Sequence, residues 1–321
     1  MVSNSLKKIS FRVLVLLFIC AGILACTENK KQNKDHVLLL LKTLDNPFFG
    51  SIQDGFLSKI DKKTNVIVRA GNKEDDINTQ KAILDSYIMD PITNKKNGRL
   101  LGLVLTPSAS NDELTNYIKE LNHRNIPVII VDTRINNDAL IRAGANYQSF
   151  IGSSNYEGGQ LAAKTLMIKT INKTDPILLL NGVIGHESAT ARRKGFLDYM
   201  KSNYPNVSII ERTANWRRSE ARQIVEGFIA IGKPVSGIFA ANDEMALGVI
   251  EAIGNKSKKI PIIGFDAIPE ALNAVKEGGL TATIAQDPFE MGSASAKAIN
   301  ARLNGQMVNK DQVISVKLIE K

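Results

Sequence analysis

The sequence predicts an α/β protein of two doubly wound parallel-sheet domains with a cleft between them. Three observations carry that expectation. Short, continuously apolar runs alternate with amphipathic stretches, the pattern of parallel strands covered by helices on both faces. Once an N-terminal leader is set aside, roughly 285 residues remain, more than one hydrophobic core usually supports. The same alternation restarts near "FIGSSNYEGG", so the chain reads as two similar halves.

Residues 1–26 lie outside the predicted fold. Lys7, Lys8 and Arg12 precede the apolar run "VLVLLFICAGILAC", which ends in small residues and a cysteine, the pattern of a secretory signal. The run is well short of the ~20 apolar residues that a spanning helix needs. "ILAC", Ile23 to Cys26, resembles a bacterial lipobox, in which the cysteine is lipidated and becomes the mature N-terminus. Processing there discards Cys20, places lipid on Cys26 and leaves no cysteine in the body, so disulfides are excluded. Residues 27–35, charged and Asn-rich, suit a flexible tether. Of the formal net charge of +9, three positive charges belong to the signal. The body nowhere clusters Lys and Arg with interleaved aromatics, so no nucleic-acid partner is expected.

The strand-like runs, in order, are "HVLLLL", "NVIVRA", "LLGLVL", "IPVIIVD", "DPILLLN", "VSIIER", "VSGIFA", "KIPIIGFD" and "LTATIA". Between them, "SIQDGFLSKI" repeats its apolar residues Ile52, Phe56 and Ile60 at helical spacing. "NDELTNYIKELNHR", "NYEGGQLAAKTLMIKT" and "DEMALGVIEAIG" also read as amphipathic helices. "DPITNKKNG", Asp90 to Gly98, reads as a surface insertion before the third strand. "TLDNPFFG", Thr43 to Gly50, is the loop between the first strand and its helix, and it lacks the glycine fingerprint of a dinucleotide site.

In an open parallel sheet, ligands bind outside the carboxyl ends of the strands. Asn46, Phe48 and Phe49 follow the first strand, and Asp132 and Arg134 follow the fourth. Trp216 lies in the strand-to-helix loop "TANWRRSE", while Asn242, Asp266 and Gln286 end later strands. Carboxylates and amides exchange hydrogen bonds with adjacent hydroxyls, and aromatic rings stack on the apolar faces of a sugar. The set therefore suits a neutral polyol. Duller roles compete residue by residue: Asp132 as a turn cap, Asn242 as the cap of a helix starting at Asp243, one phenylalanine as a staple, Trp216 as core.

Catalysis has little support. There is no G-x-S-x-G, and no two histidines stand at metal-ligand spacing. His36 opens a strand and His123 sits on a helix. His186, beside Glu187, reads as a solvated loop residue before a general base. No carboxylate pair takes glycosidase roles. No enzyme, metal or cofactor is expected.

Five blocks carry a resemblance: "TLDNPFFGSIQDG", "IPVIIVDTR", "FAANDEMALG", "IIGFDAIPEA" and "GGLTATIAQDPFEMG". From about His36 to the C-terminus, the chain resembles the periplasmic sugar-binding proteins of the ribose-binding type. These have the type I periplasmic-binding fold, shared with LacI-type repressor cores, and deliver substrates to ABC transporters. The resemblance implies one lobe from 36–152 plus 287–314, another from 153–286 plus 315–321, and a three-stranded hinge. The crossings fall near Ile151–Ser153, after Gln286 and near Ser315. It implies sugar contacts at Asn46, Phe48, Phe49, Asp132, Trp216, Asn242, Asp266 and Gln286.

Two positions depart from that pattern. Ribose binders carry Arg directly after the Asp, where Thr133 stands here with Arg134 one place on; Thr190 replaces a second sugar-binding Arg, and Arg192 keeps a structural one. Lys42 is the compensating candidate, as autoinducer-2-binding relatives use a lysine at that strand end. The departures argue against ribose itself and leave a sugar or related polyol. The expected protein is a monomeric, exported, lipid-anchored binding subunit on the periplasmic or cell-surface side of a bacterial membrane, working with an ABC transporter permease. A sensory role, presenting a sugar or autoinducer-2-like signal to a membrane receptor, is the alternative. A repressor core fits poorly with an export signal and no helix-turn-helix.

Overall fold

The computed structural model describes residues 35–89, 98–172, 174–254 and 260–321. Cys26, the leader, residues 27–34 of the tether and residues 90–97 of the expected insertion lie outside the described residues.

The first half runs β1 (His36–Leu41), α1 (Pro47–Lys59), β2 (Asn65–Ala70), α2 (Ile77–Leu84), β3 (Leu100–Leu105), α3 (Thr115–His123), β4 (Val128–Val131), α4 (Asn137–Ala143) and β5 (Ser149–Ser153). The second runs α5 (Asn155–Lys169), β6 (Ile177–Asn181), α6 (Glu187–Asn203), β7 (Ile209–Thr213), α7 (Arg218–Ala230), β8 (Gly237–Ala240), α8 (Asp243–Ile253), β9 (Ile262–Asp266), α9 (Pro269–Glu277) and β10 (Ala282–Ala285). Then follow α10 (Pro288–Leu303), β11 (Asp311–Ile314) and β12 (Lys317–Glu320).

Central strands such as β1 and β4 are buried at every residue, which is why they are apolar without alternation. One sheet has the order β11-β5-β4-β3-β1-β2 and the other β12-β10-β9-β8-β6-β7. All pairings are parallel except β12, which runs antiparallel on β10. The chain thus passes between the sheets after β5, after β10 and between β11 and β12. Strands β2 and β7 lie at the sheet edges opposite the crossings.

Three strands carry no sequence signal of the expected kind. Strand β5 is buried but contains Ser149, Gly152 and Ser153, whereas β11 and β12 are half-exposed edge strands with polar residues. A second difference concerns α1, which starts at Pro47, so Phe48 and Phe49 occupy its first turn and not a loop. Proline at this position gives up an amide that no helix could use, and Asn46 caps the turn by accepting from the Phe48 amide at 3.0 Å.

Helix α1 is held against α10 by contact of backbone with backbone. A Cβ on Gly55 would stand 1.9 Å from the Phe289 carbonyl oxygen, and one on Gly292 would stand 2.0 Å from that of Ile52. The pair sets the depth at which α1, with its two phenylalanines, sits on the first sheet. Gly55→Ala is expected to destabilise by about 1–3 kcal/mol through overpacking. Gly50→Ala, in the same helix with nothing within 4 Å of the new Cβ, should be neutral or stabilising by about 0.5–1 kcal/mol. Urea unfolding of the two variants measures the contrast.

Candidate functional site

Residues from the carboxyl ends of both sheets converge on one narrow cavity. Lys42, Asn46, Phe48, Phe49, Glu74 and Asp132 reach it from the first lobe, and Ser188, Arg192, Trp216, Asn242, Asp266 and Gln286 from the second. The structure therefore brings together nine of the eleven residues singled out in the sequence. The free space within it is about 20 Å³, room for a single water. Asn46, Glu74 and Trp216 also line a wider opening of about 610 Å³ at the β2 and β7 edges.

Arg134 and Thr190 are not among the lining residues. Asp132 has a left-handed backbone, φ 68°, and the turn sends Thr133 inward. Arg134 lands instead over the Phe150 ring, 3.7 Å from its centroid, and binds Asp311 at 2.5 Å near the β5–β11 edge. Thr190 stands in the first turns of α6, where its hydroxyl donates back to the His186 carbonyl at 3.0 Å. Ser188 and Arg192, four apart, share the helix face that meets the cavity, and Thr190 lies on another.

The capping and site readings of the two asparagines hold together. Asn242 Oδ1 accepts from the Met245 amide at 2.9 Å, capping α8, while its Nδ2 donates to the Trp216 carbonyl at 3.2 Å. Asn46 splits its amide likewise, capping α1 and donating from Nδ2 to Glu74 at 2.9 Å. Backbone strain concentrates nearby. Of the six non-glycine residues with positive φ among the described residues, Asp132, Asn215, Trp216, Asp266 and Ala267 are at or next to the cavity. Each such conformation costs on the order of 1–3 kcal/mol and persists only where its surroundings enforce it, a mark of functional sites.

Four of the five ionisable side chains lining the cavity form two pairs of opposite charge. Lys42 is 2% exposed, and its Nζ donates to Asp132 at 2.8 Å and to the Thr133 hydroxyl at 2.7 Å. Burial pushes the Asp132 carboxyl up, but Lys42, by charge and hydrogen bond, with Arg192 and Thr133, holds it below the usual carboxylate range. Arg192 lies on the Phe265 ring, 3.7 Å from its centroid. Its Nε donates to Asn155 at 2.8 Å and its Nη1 to the Ala241 carbonyl at 2.6 Å, with Asp266 at 3.3 Å. Asp266 also accepts from Gln286 Nε2 at 2.6 Å; burial pushes its carboxyl up to about 7 against the pull of Arg192. Burial likewise raises Glu74 to about 7, opposed by Lys42 and Asn46. Gln286 Oε1 is buried with no hydrogen-bond partner among the described residues.

His186 is neither solvated nor placed as a base. It is 3% exposed: Nε2 contacts the Ser108 carbonyl of the other lobe at 2.9 Å, and Nδ1 accepts from Trp216 Nε1 at 3.2 Å. Those partners select the Nε2–H tautomer, and burial pulls the ring's pKa down to about 4. Further contacts between the lobes are Ser110 Oγ with the Glu187 amide at 3.0 Å and Arg217 with Asp75 at 2.6 Å. Sequence reasoning passed over Glu74, though it follows β2 and the strand-end rule includes it. Ser188 had no such signal.

A cavity shared by two doubly wound lobes, at the carboxyl ends of their strands, defines a bilobal ligand-binding protein of the type I periplasmic-binding fold. The chain belongs to the periplasmic binding protein family, whose domain signature matches residues 37–307. The ribose import binding protein of Haemophilus influenzae is 31% identical over 292 residues, 89% of this chain and 91% of its own length. The D-allose-binding periplasmic protein of Escherichia coli is 27% identical over 288 residues, 88% of this chain and 89% of its own. Among solved structures, an ABC transporter solute-binding protein of Agrobacterium vitis with bound D-fucose matches with a TM-score of 0.80 at 26% identity, covering 89% of this chain and 95% of that one. A counterpart from Actinobacillus succinogenes with bound D-allose gives 0.79 at 27%, covering 89% and 98%. These relatives are binding proteins of transport systems and not enzymes.

Breaking the buried pair tests the electrostatics. Lys42→Met leaves Asp132 uncompensated and should cost roughly 3–5 kcal/mol, whereas Lys42→Met with Asp132→Asn should recover most of the loss. Because Asp132's pKa is lowered on folding, its contribution is present above the ordinary carboxylate range and disappears as pH falls through the folded value. Urea unfolding at neutral and acid pH reads both effects: the gap between wild type and Lys42→Met should narrow on acidification.

Proposed function

We propose that this chain is an extracytoplasmic substrate-binding protein that captures a sugar or related polyol between its lobes and hands it to an ABC importer. The observation that carries this reading is a cavity shared by both lobes, rich in acceptors and flanked by aromatic rings. Glu74, Asp132, Asp266 and Gln286 offer acceptor oxygens to hydroxyl donors. Phe48 and Phe49 meet edge to face, ring centroids 5.3 Å apart, and with Trp216 they supply apolar ring faces. The relatives' names, which include ribose, D-allose and D-fucose, support the same class.

Both cations lining the cavity already face a carboxylate, Lys42 with Asp132 and Arg192 with Asp266, so neither is left to receive an anion. Sugar acids and sugar phosphates should therefore fail. A space the size of one water cannot take a monosaccharide unless the lobes part, so uptake requires hinge motion about the three crossings. Ligand that contacts both lobes favours the closed arrangement by its differential affinity for it. The contacts of His186 with Ser108 and of Arg217 with Asp75 belong to that closed arrangement.

Lipidation of Cys26 would hold the protein at the membrane as a monomer and raise its effective concentration at the permease. The basic segment, short apolar run and "ILAC" support this. The sensory alternative draws no support from relatives that are import and periplasmic binding proteins.

Titration calorimetry with D-ribose, D-allose, D-fucose, polyols, gluconate and ribose 5-phosphate tests the reading. One neutral sugar or polyol should bind and the anions should not; silence across the neutral set refutes it. Trp216 is the only tryptophan, so binding should change the intrinsic fluorescence, and Trp216→Ala should weaken affinity at least tenfold. For the anchor, labelled palmitate should enter the wild-type protein and not Cys26→Ser, which should leave the membrane fraction.

A further inference from the structure

Five ionisable side chains line the cavity, and four form two opposed pairs: Lys42 with Asp132 and Arg192 with Asp266. Glu74 is the fifth. Among the described residues, its side-chain hydrogen-bond partner is the neutral amide of Asn46, 2.9 Å away. That amide is itself held, because Asn46 Oδ1 accepts from the Phe48 amide at the start of α1. A helix cap thus aims an amide, and the amide aims a carboxylate. Glu74 follows the edge strand β2, far from the crossings, is half-buried, and lines both the narrow cavity and the wider opening, as Trp216 does from the other lobe.

We infer that Glu74 is a specificity-determining contact, its carboxylate accepting a hydrogen bond from a hydroxyl of the bound sugar at the mouth end of the cavity. The inference rests on the sugar reading above. A carboxylate oriented by one neutral donor keeps acceptor capacity that protein groups do not use. Glu74 is half-buried and faces the wider opening, so water can meet that capacity while the site is empty; a sugar seated at the mouth displaces that water, and its hydroxyl must then replace the lost hydrogen bond. A sugar lacking the matching hydroxyl is then rejected more strongly than lost attraction alone implies.

The ionisation of Glu74 adds a second readout. The charged groups around it are Lys42 at the end of β1, Asp132 after β4, Asp266 at the end of β9, Arg192 on α6, Arg217 after β7, and Lys73 and Asp75 in its own loop. Among these, burial holds its carboxyl near 7. A hydroxyl donor from the ligand favours the ionised form, so binding releases a proton where the free protein carries one. Affinity should rise with pH up to about 7 and level off above it.

The test is calorimetric titration of wild type, Glu74→Ala and Glu74→Gln with D-ribose, D-allose and D-fucose. The tightest binder is then replaced by each of its monodeoxy derivatives. Glu74→Ala should weaken the parent sugar about tenfold or more. One deoxy derivative should suffer a comparable loss in wild type and none beyond its parent in Glu74→Ala. That coupling to a single hydroxyl would not arise if Glu74 merely steadied Asn46. Glu74→Gln keeps the shape and should reduce the rise in affinity between pH 6 and pH 8, leaving only the part due to Asp266, which is also raised by burial; it carries the test alone should the alanine variant fail to fold. Equal deoxy penalties in wild type and Glu74→Ala, or an unchanged pH profile in Glu74→Gln, overturn the inference while leaving the sugar reading intact. A wild type that binds none of the sugars overturns both.

Discussion

Two pairs of opposite charge, buried where two sheets present the ends of their strands, organise this molecule. A lone charge there would carry a desolvation penalty of several kcal/mol, so each is matched by a partner from a distant part of the chain. Lys42 at the end of β1 takes Asp132 after β4, and Arg192 on α6 takes Asp266 at the end of β9. Such pairs add little net stability against an apolar alternative. Here they tie the end of β1 to the turn after β4, across β3, and helix α6 to the end of β9, and they engage both cations of the cavity.

The same economy governs the amides and the backbone. Asn46 and Asn242 each cap a helix with the oxygen and brace the cavity with the nitrogen. Local folding and site geometry are therefore set by one side chain at two points, and neither asparagine can move without loosening a helix. The left-handed residues at Asp132, Trp216 and Asp266 work in the same direction. They turn the chain sharply as it leaves a strand, which aims the side chain across the cleft and not along the sheet. Strain of this kind is tolerated because burial, helix packing and contacts between lobes enforce it together.

Function follows from the placement of the crossings. The lobes are joined beside β5, β10, β11 and β12, at one side of each sheet, while Trp216, Glu74 and the Asp75–Arg217 pair lie at the far edges. With the proposed hinge at the crossings, a small rotation there becomes a large displacement at the mouth. The aromatic and acidic residues at the cavity mouth stand farthest from the crossings, and His186, held between Trp216 and Ser108, links the second lobe's aromatic wall to the first lobe's backbone.

Much of this was legible in one dimension. Strand runs such as "HVLLLL" and helical spacings such as Ile52 and Phe56 are local consequences of burial, so fold class and the polar residue types at strand ends could be read directly. Strands β5, β11 and β12 were not legible from pattern, because serine and glycine in one and edge exposure in the others remove the apolar run. Direction was also hidden. Arg134 turns away because Asp132 adopts a positive φ, and Thr190 because it lies off the helix face shared by Ser188 and Arg192. The charge of Glu74 and the tautomer of His186 depend on neighbours far away in the chain, brought close only when two lobes meet. Residue type and period are properties of the chain; orientation, partner and ionisation belong to the folded assembly, because they arise from contacts between segments that the sequence keeps apart.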